Sequence, residues 1–412
     1  MSGILYISYD GMLEPLGQSQ VLAYLERLAP GYSIHLISFE KAEDWANPQL
    51  RAAVEARMRA AGISWHPLRY HKAPSALATA YDIAQGIRVG AALVRRLGLT
   101  LIHARSYVPS VMALAIRRLS GARYLFDMRG FWADERVDGG IWPRDGQLYR
   151  IAKGLERRFL LAADAVVSLT EAGKREIGNF PYLAGRVPPI TVIPTCADLE
   201  RFKPGAPPPE MPFVLGYVGG AGTWYLFEEA LAVFRAVKRL RPDSRLLIVN
   251  RNEHDWIRNQ LSQANVDAAD CDLVAASHAE MPDLMSRMHA GLVLIKPVYS
   301  KTASAPTKLA EFLGCGVPCL VNSGVGDMAP VIAESDVGVV MSGFSEQECN
   351  EAAVALFSRV AGPGIRQRCA LAAHRHFSLE QGVRAYNNLY RSLSGTAAVV
   401  PRSGDDPFEF SH

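Results

Sequence analysis

Short runs of aliphatic and β-branched residues alternate with longer stretches of helical periodicity along nearly all of this 412-residue chain, and that alternation constrains the fold more than any other feature. A strand that feeds a crossover helix returns parallel to its neighbour, so the pattern predicts an α/β architecture of parallel sheets built from βαβ units. Strands are expected at 4–9, 33–39, 101–104, 123–127, 165–169 and 191–193, and again at 213–218, 245–250, 291–295, 318–322 and 337–341. Helices are expected at 19–28, 75–97, 109–119, 148–163, 225–240, 279–289 and 307–313. One segment, Lys203-Pro-Gly-Ala-Pro-Pro-Pro-Glu-Met-Pro212, continues neither element and reads as a linker. It divides the chain into 1–205 and 206–375, which read as two similar α/β domains. A terminal helix over 376–393 follows, then a Gly/Pro/Asp-rich tail over 394–412 that is expected to be disordered.

Several classes of protein are excluded. No run approaches the ~20 apolar residues that span a bilayer. The start, MSGILYISYDG, has no basic region before its apolar stretch and reads as a first strand rather than a secretion signal. The six cysteines form no CxxC pair and no metal-ligand spacing, which suits reduced thiols in a cytoplasmic protein. The net charge of +3 is unevenly spread. Residues 1–205 hold 26 Lys and Arg against 19 Asp and Glu, hence +7, whereas 206–412 hold 18 against 22, hence −4. A basic first half suits an anionic partner, although chance gives the same imbalance.

The segment from Gly291 to Asp327 carries the most chemistry. A strand ends at Lys296-Pro297, a Ser/Lys/Thr/Ala/Pro loop follows, and Pro306 or Thr307 opens a helix. Thr307, Lys308 and Leu309 then occupy a first turn whose amides lack intrahelical partners, and Lys308 adds a charge, which makes an anion site. Glu311 falls on the same side one turn on and is placed to accept from ribose hydroxyls. The same residues also fit an ordinary surface ion pair at a helix start. A second glycine-rich turn, Gly219-Gly-Ala-Gly-Thr-Trp-Tyr225, follows a strand but lacks the third glycine of a dinucleotide fingerprint. Arg251 follows the next strand, where ligands of open α/β sheets bind, or is simply a solvated loop arginine. In the first half, Asp127-Met-Arg129 ends a strand, and a guanidinium there suits a phosphate or an ion pair with Asp127. His103 and Arg105 end the strand before it.

The run Ser304-Ala-Pro-Thr-Lys-Leu-Ala-Glu-Phe-Leu-Gly-Cys-Gly-Val-Pro318 resembles the nucleotide-sugar signature of glycosyltransferase family 4, bacterial group 1 type, a retaining family with the GT-B fold. The resemblance implies two Rossmann-like α/β/α domains facing each other across a cleft, with the terminal helix crossing back onto the first. It implies transfer of a sugar from a UDP- or GDP-linked donor to a glycan or lipid-linked acceptor, with retention and without a metal or other cofactor. It assigns catalytic or leaving-group roles to Lys308, Arg129 and Glu311, Arg129 standing where the family places a histidine. Donor contacts fall on Ser304, Pro306, Thr307 and Leu309, and on Gly17, Gly222 and Trp224 in the two glycine-bearing loops. The family's loop Arg and Lys are missing between Gly219 and Glu229, which leaves Lys296, Lys301 and Arg251 as helpers to Lys308. The first of two family acids is replaced by Ala303. Two other readings of such a chain are a noncatalytic nucleotide-sugar or glycan-binding scaffold and a GT-B nucleotide-sugar epimerase.

Arg150, Lys153, Arg157 and Arg158 sit at helical spacing among apolar residues, as do Arg88, Arg95 and Arg96. Such faces suit an anionic bilayer, or are solvated arginines above a packed face. Because many relatives extend lipid-linked glycans, the resemblance implies a cytoplasmic protein that touches the inner membrane and takes part in cell-envelope or exopolysaccharide synthesis. Nucleic acid is not an expected partner.

Overall fold

The computed structural model describes residues 2–73 and 75–395, so all but the start of the expected tail lies outside the described residues. The first sheet contains β1 (Ser2–Ser8), β2 (Tyr32–Glu40), β3 (Ser64–Arg69), β4 (Leu101–Arg105), β5 (Arg123–Asp127), β6 (Ala165–Ser168) and β7 (Ile190–Val192). Its strand order is β3-β2-β1-β4-β5-β6-β7, and every pairing is parallel. The second contains β8 (Val214–Val218), β9 (Arg245–Val249), β10 (Cys271–Val274), β11 (Ala290–Val293), β12 (Cys319–Asn322) and β13 (Gly338–Met341). Its order is β10-β9-β8-β11-β12-β13, again parallel throughout. Each sheet is apolar on both faces: β1 buries Ile4 and Tyr6 on one side, Leu5 and Ile7 on the other, under helices.

Two strands were not expected from sequence, β3 and β10, and both are edges. β3 carries Pro67 and is only half-buried, and β10 has four residues, one of them the exposed Asp272. The expected helix over 279–289 shortens to Met281–Ser286, because Met288 and His289 are drawn into the start of β11, where His289 Nδ1 accepts from Val214 N at 3.0 Å. Helix 19–28 begins earlier, at Pro15, and passes through a π-turn at Gln18–Leu22.

The last helix, Leu379–Ser394, packs on the first sheet although it follows the second. Tyr386 donates to Asp127 Oδ2 at 3.0 Å, Tyr390 pairs with His103 Nδ1 at 2.7 Å, and Tyr32 donates to Asn387 Oδ1 at 2.7 Å. The segment Tyr299–Ala303 ties the two sheets together from the other side. Ser300 N donates to Asp138 Oδ2 at 2.9 Å, Tyr299 to Glu176 Oε1 at 2.8 Å, and Thr170 Oγ1 to the Thr302 carbonyl at 2.9 Å. Asp327 accepts from Glu171 N and Ala172 N at 2.6 and 3.0 Å and thereby caps a first-domain helix from the second domain. The C-terminal edges of the two sheets consequently face each other across a cleft.

Candidate active site

A cavity of about 660 Å³ lies in the cleft, lined from the first domain by the ends of β1, β4 and β5 and from the second by β8 and the helix Thr307–Gly314. This is where open parallel sheets bind ligands, since the strands' carboxyl ends and the N-termini of the following helices converge there. Four cations (Arg105, Arg129, Arg136, Lys308) and three carboxylates (Asp10, Glu135, Glu311) reach it.

On the second-domain wall, Pro306 is the N-cap of the helix and no side chain caps it. The first-turn amides of Thr307 and Lys308 therefore have no acceptor within the helix. Lys308 is 8% exposed, and its Nζ finds no hydrogen-bond partner among the described residues. It lies 3.8 Å from the centroid of the Tyr225 ring, a cation–π contact. Burial drives its pKa down to about 7, against the opposing pull of Glu311 and Glu253. Gly219, at φ +103°, makes room: a Cβ there would sit 3.1 Å from the ammonium. Glu311, one turn on, is buried, lies 3.5 Å from His278 Nε2, and also borders a second cavity of about 330 Å³ with Phe202 and His278.

On the first-domain wall, Asp127 is fully buried at the end of β5. Burial alone would raise its pKa, but Arg129, His103 and Arg105 outweigh that and hold it at about 2. Arg129 Nη1 lies 3.9 Å from Asp127 Oδ1, and Arg129 adopts φ +57°, a left-handed conformation that non-glycine residues rarely take. His103 is buried under the terminal helix and donates or accepts within the Tyr390–Asp127 network, so it supports this wall rather than lining the cavity.

Of the residues singled out from sequence, Lys308, Glu311, Arg129, Pro306 and Thr307 come together around this cavity. Arg105 lines it as well, and the remaining candidates do not. Lys301 is 6% exposed, paired with Glu135, and 4.0 Å from the Trp224 ring, so its charge serves the joint between the domains. Trp224 is occupied by that contact and by the Gly139 backbone. Lys296 and Arg251 are exposed and are not among the residues that line the cavity. Gly17 packs on its own loop: a Cβ would lie 2.0 Å from the Gly11 carbonyl. Ser304 and Leu309 border a neighbouring cavity of about 340 Å³ beside Asp327. The glycine turn is not a free anion nest, because Glu253 fills it, accepting from Ala221 N at 2.9 Å and Gly222 N at 3.1 Å while Asn250 Nδ2 donates to it at 2.8 Å. Ala303 is 2% exposed and wedged against Gly173, so a side chain at this position serves the domain contact instead of a ligand.

Sequence reasoning missed Glu135, Arg136 and Glu253 and gave Arg105 only a supporting role. Arg105 was visible as a charge ending a strand, the position that ligands favour; Glu253 had no signal short of its contact with a loop some thirty residues earlier. Of Lys153 in the basic helix Gln147–Ala162, the structure makes an inward ligand of Asp134 at 2.9 Å and Glu156 at 2.5 Å, whereas Arg150, Arg157 and Arg158 are exposed. No helix among the described residues is long and apolar enough to cross a membrane, and no three His, Cys, Asp or Glu side chains converge as a metal site among them.

Residues 19–196 match the profile of the Glycosyl transferase 4-like domain. No curated protein matches the sequence. Among solved structures the chain is similar to sucrose-phosphate synthase from Thermosynechococcus elongatus, at a TM-score of 0.71 and 14% identity over 96% of this chain and 100% of that one. It is similar also to a glycosyltransferase from Rickettsia africae (TM-score 0.67, 11% identity, 96% and 99% of the two chains). A third is Anabaena HepE in complex with UDP and glucose (TM-score 0.68, 12% identity, 95% and 100%).

Proposed function

We propose that this chain, whose residues 19–196 match a Glycosyl transferase 4-like domain and whose fold is GT-B, is a transferase that moves a sugar from a nucleotide-diphosphate donor to a glycan or lipid-linked acceptor with retention of configuration. The observation that carries this reading is Lys308, a buried ammonium without a hydrogen-bond partner, beside the uncapped start of a helix and inside the cleft. Leaving a buried cation unpaired costs several kcal/mol, and an anionic ligand removes that cost. HepE, a solved relative in fold, holds UDP and glucose, which supports a nucleotide-sugar as that anion.

Cleavage of the sugar–diphosphate bond builds negative charge on the departing oxygen and oxocarbenium character on the sugar. Lys308 and the amides of Thr307 and Lys308 receive that charge from the second-domain side, with Arg129 opposite. Glu311 accepts from the ribose hydroxyls. The acceptor hydroxyl attacks the face that the diphosphate leaves, its oxygen bonds the anomeric carbon, and its proton passes to the departing phosphate oxygen, so no side-chain base is required. Protein cations supply the charge that a bound metal supplies elsewhere, and the reaction proceeds without one.

Lipid-linked acceptors are supported by Ile141, Leu148 and Ile151, 57%, 55% and 59% exposed, beside the exposed Arg150, Arg157 and Arg158. Apolar side chains edged by cations bind anionic bilayers at about 1 kcal/mol per cation, which supports our reading of a cytoplasmic protein that touches the inner membrane in cell-envelope or polysaccharide synthesis. Calorimetry with UDP, GDP and the corresponding monophosphates tests the donor site. One diphosphate is expected to bind at least about tenfold more tightly than its monophosphate, as the loss of a charged contact predicts. Binding of neither diphosphate overturns the reading.

A further inference from the structure

Beside Arg129, the first-domain wall of the cavity presents two further cations, Arg105 and Arg136, to which the donor reading gives no role. The helix Tyr107–Ser120 starts at this wall, with Ser106, Val108 and Pro109 lining the cavity. Its N-cap, Ser106, sits at φ +72° and gives no side-chain cap, so the amides of Tyr107 and Val108 have no intrahelical partner. Directly before it, Arg105 is 4% exposed. Its Nε donates to Asp10 Oδ2 at 3.3 Å, and its Nη1, 3.8 Å from Asp127 Oδ2, makes no hydrogen bond among the described residues. Arg136 lines the same wall, lies 5.1 Å from the Trp132 ring centroid, and has no carboxylate within 4.0 Å among the described residues. Two carboxylates share this wall, but Glu135 is committed to Lys301, and Asp10 satisfies one edge of one guanidinium.

We propose that this wall binds a phosphoryl group carried by the acceptor, held by Arg105, Arg136 and the first-turn amides of Tyr107 and Val108. Two guanidiniums and a helix start offer several donors from separate directions, which fits the oxygens of a phosphoryl dianion. The donor diphosphate is engaged by Lys308 and the first-turn amides of the opposite wall, with Arg129 as the one first-domain cation that faces it, so the two anions are bound by different residues. The word acceptor rests on the transferase reading; the anion site does not.

The test titrates inorganic phosphate into the full chain with and without saturating UDP or GDP, read by calorimetry. Phosphate is expected to bind in both conditions. Arg136→Gln, at a half-exposed position, should weaken phosphate by about tenfold or more while nucleotide affinity shifts less than about twofold. Arg105→Gln should weaken phosphate likewise, and because Arg105 shares Asp127 with the donor-facing Arg129, Arg136→Gln alone decides whether nucleotide affinity is independent. Phosphate that competes with the nucleotide and is lost in Lys308→Met overturns the proposal, since the cleft then has one anion site. A chain that binds phosphate through Arg136 but binds no nucleotide keeps the anion site and loses the transferase reading. Displacement of phosphate by a hexose phosphate in solution identifies a soluble acceptor, and displacement by vesicles containing a polyprenyl phosphate identifies a lipid-linked one. Displacement by neither overturns the acceptor role.

Discussion

Nucleoside diphosphate binding should be coupled to protonation of Lys308. The free protein holds this lysine near pKa 7 because its ammonium is buried without a hydrogen-bond partner. A diphosphate at the same place restores the charged form and raises the pKa again. Between the free and bound values, binding must take up a proton, so affinity falls as pH rises above 7, by at most tenfold per pH unit. At pH 8 the free lysine is about nine-tenths neutral, so uptake from this group approaches about 0.9 proton. Calorimetry at pH 8 in two buffers of different ionisation enthalpy reads the uptake directly, and the diphosphate itself is fully ionised there. Lys308→Met should abolish the uptake, flatten the pH dependence and weaken binding at pH 7 by about 1.5–3 kcal/mol, the worth of a charged hydrogen bond. The ligand-free variant should melt no lower than the parent, because the ammonium it loses made no hydrogen bond. The linkage also has a sign in the free protein: between pH 7 and 10.5 the unfolded chain binds more protons at this residue, so its contribution to stability rises with pH. Equal proton uptake by the parent and Lys308→Met would refute the reasoning.

Glu311→Gln should weaken nucleoside diphosphate binding by about 1–3 kcal/mol, measured against a ribose-free pyrophosphate control that it leaves unchanged. Lys296→Ala and Arg251→Ala should leave diphosphate affinity within about twofold, because both side chains are exposed and neither lines the cavity; a larger loss by calorimetry would return them to the clamp. Transfer should survive chelator, and activity lost to chelator and restored by magnesium or manganese would contradict the charge assignment. The parent should co-sediment with anionic vesicles at low salt, where attraction is least screened, and Ile151→Glu should not; no binding by the parent leaves the basic, apolar face without a membrane role.

The central strands were legible because both of their faces are buried, which writes continuous aliphatic runs such as Ile4 to Ile7 into the sequence. The edges β3 and β10 were not, since an edge tolerates Pro67 and Asp272 and so loses the signal. Lys308 and Glu311 were legible because one helix turn holds both, and spacing along a helix fixes their shared side. Pairs assembled by the fold were not. Glu135 and Lys301 are 166 residues apart, and Glu253 meets its amides 31 and 32 residues upstream, so no local pattern marks either. For the same reason Lys301 looked free in sequence and is bound in the structure.

The central claim is that the cleft breaks a nucleotide-sugar bond and delivers the sugar with retention. Proton NMR of the full chain with UDP- and GDP-linked hexoses, without acceptor, follows the slow release of free sugar before it mutarotates. The account predicts that the first anomer to appear has the configuration of the donor and that Lys308→Met suppresses its appearance. A first-formed anomer of opposite configuration, or no release from any donor whose diphosphate binds, would contradict it.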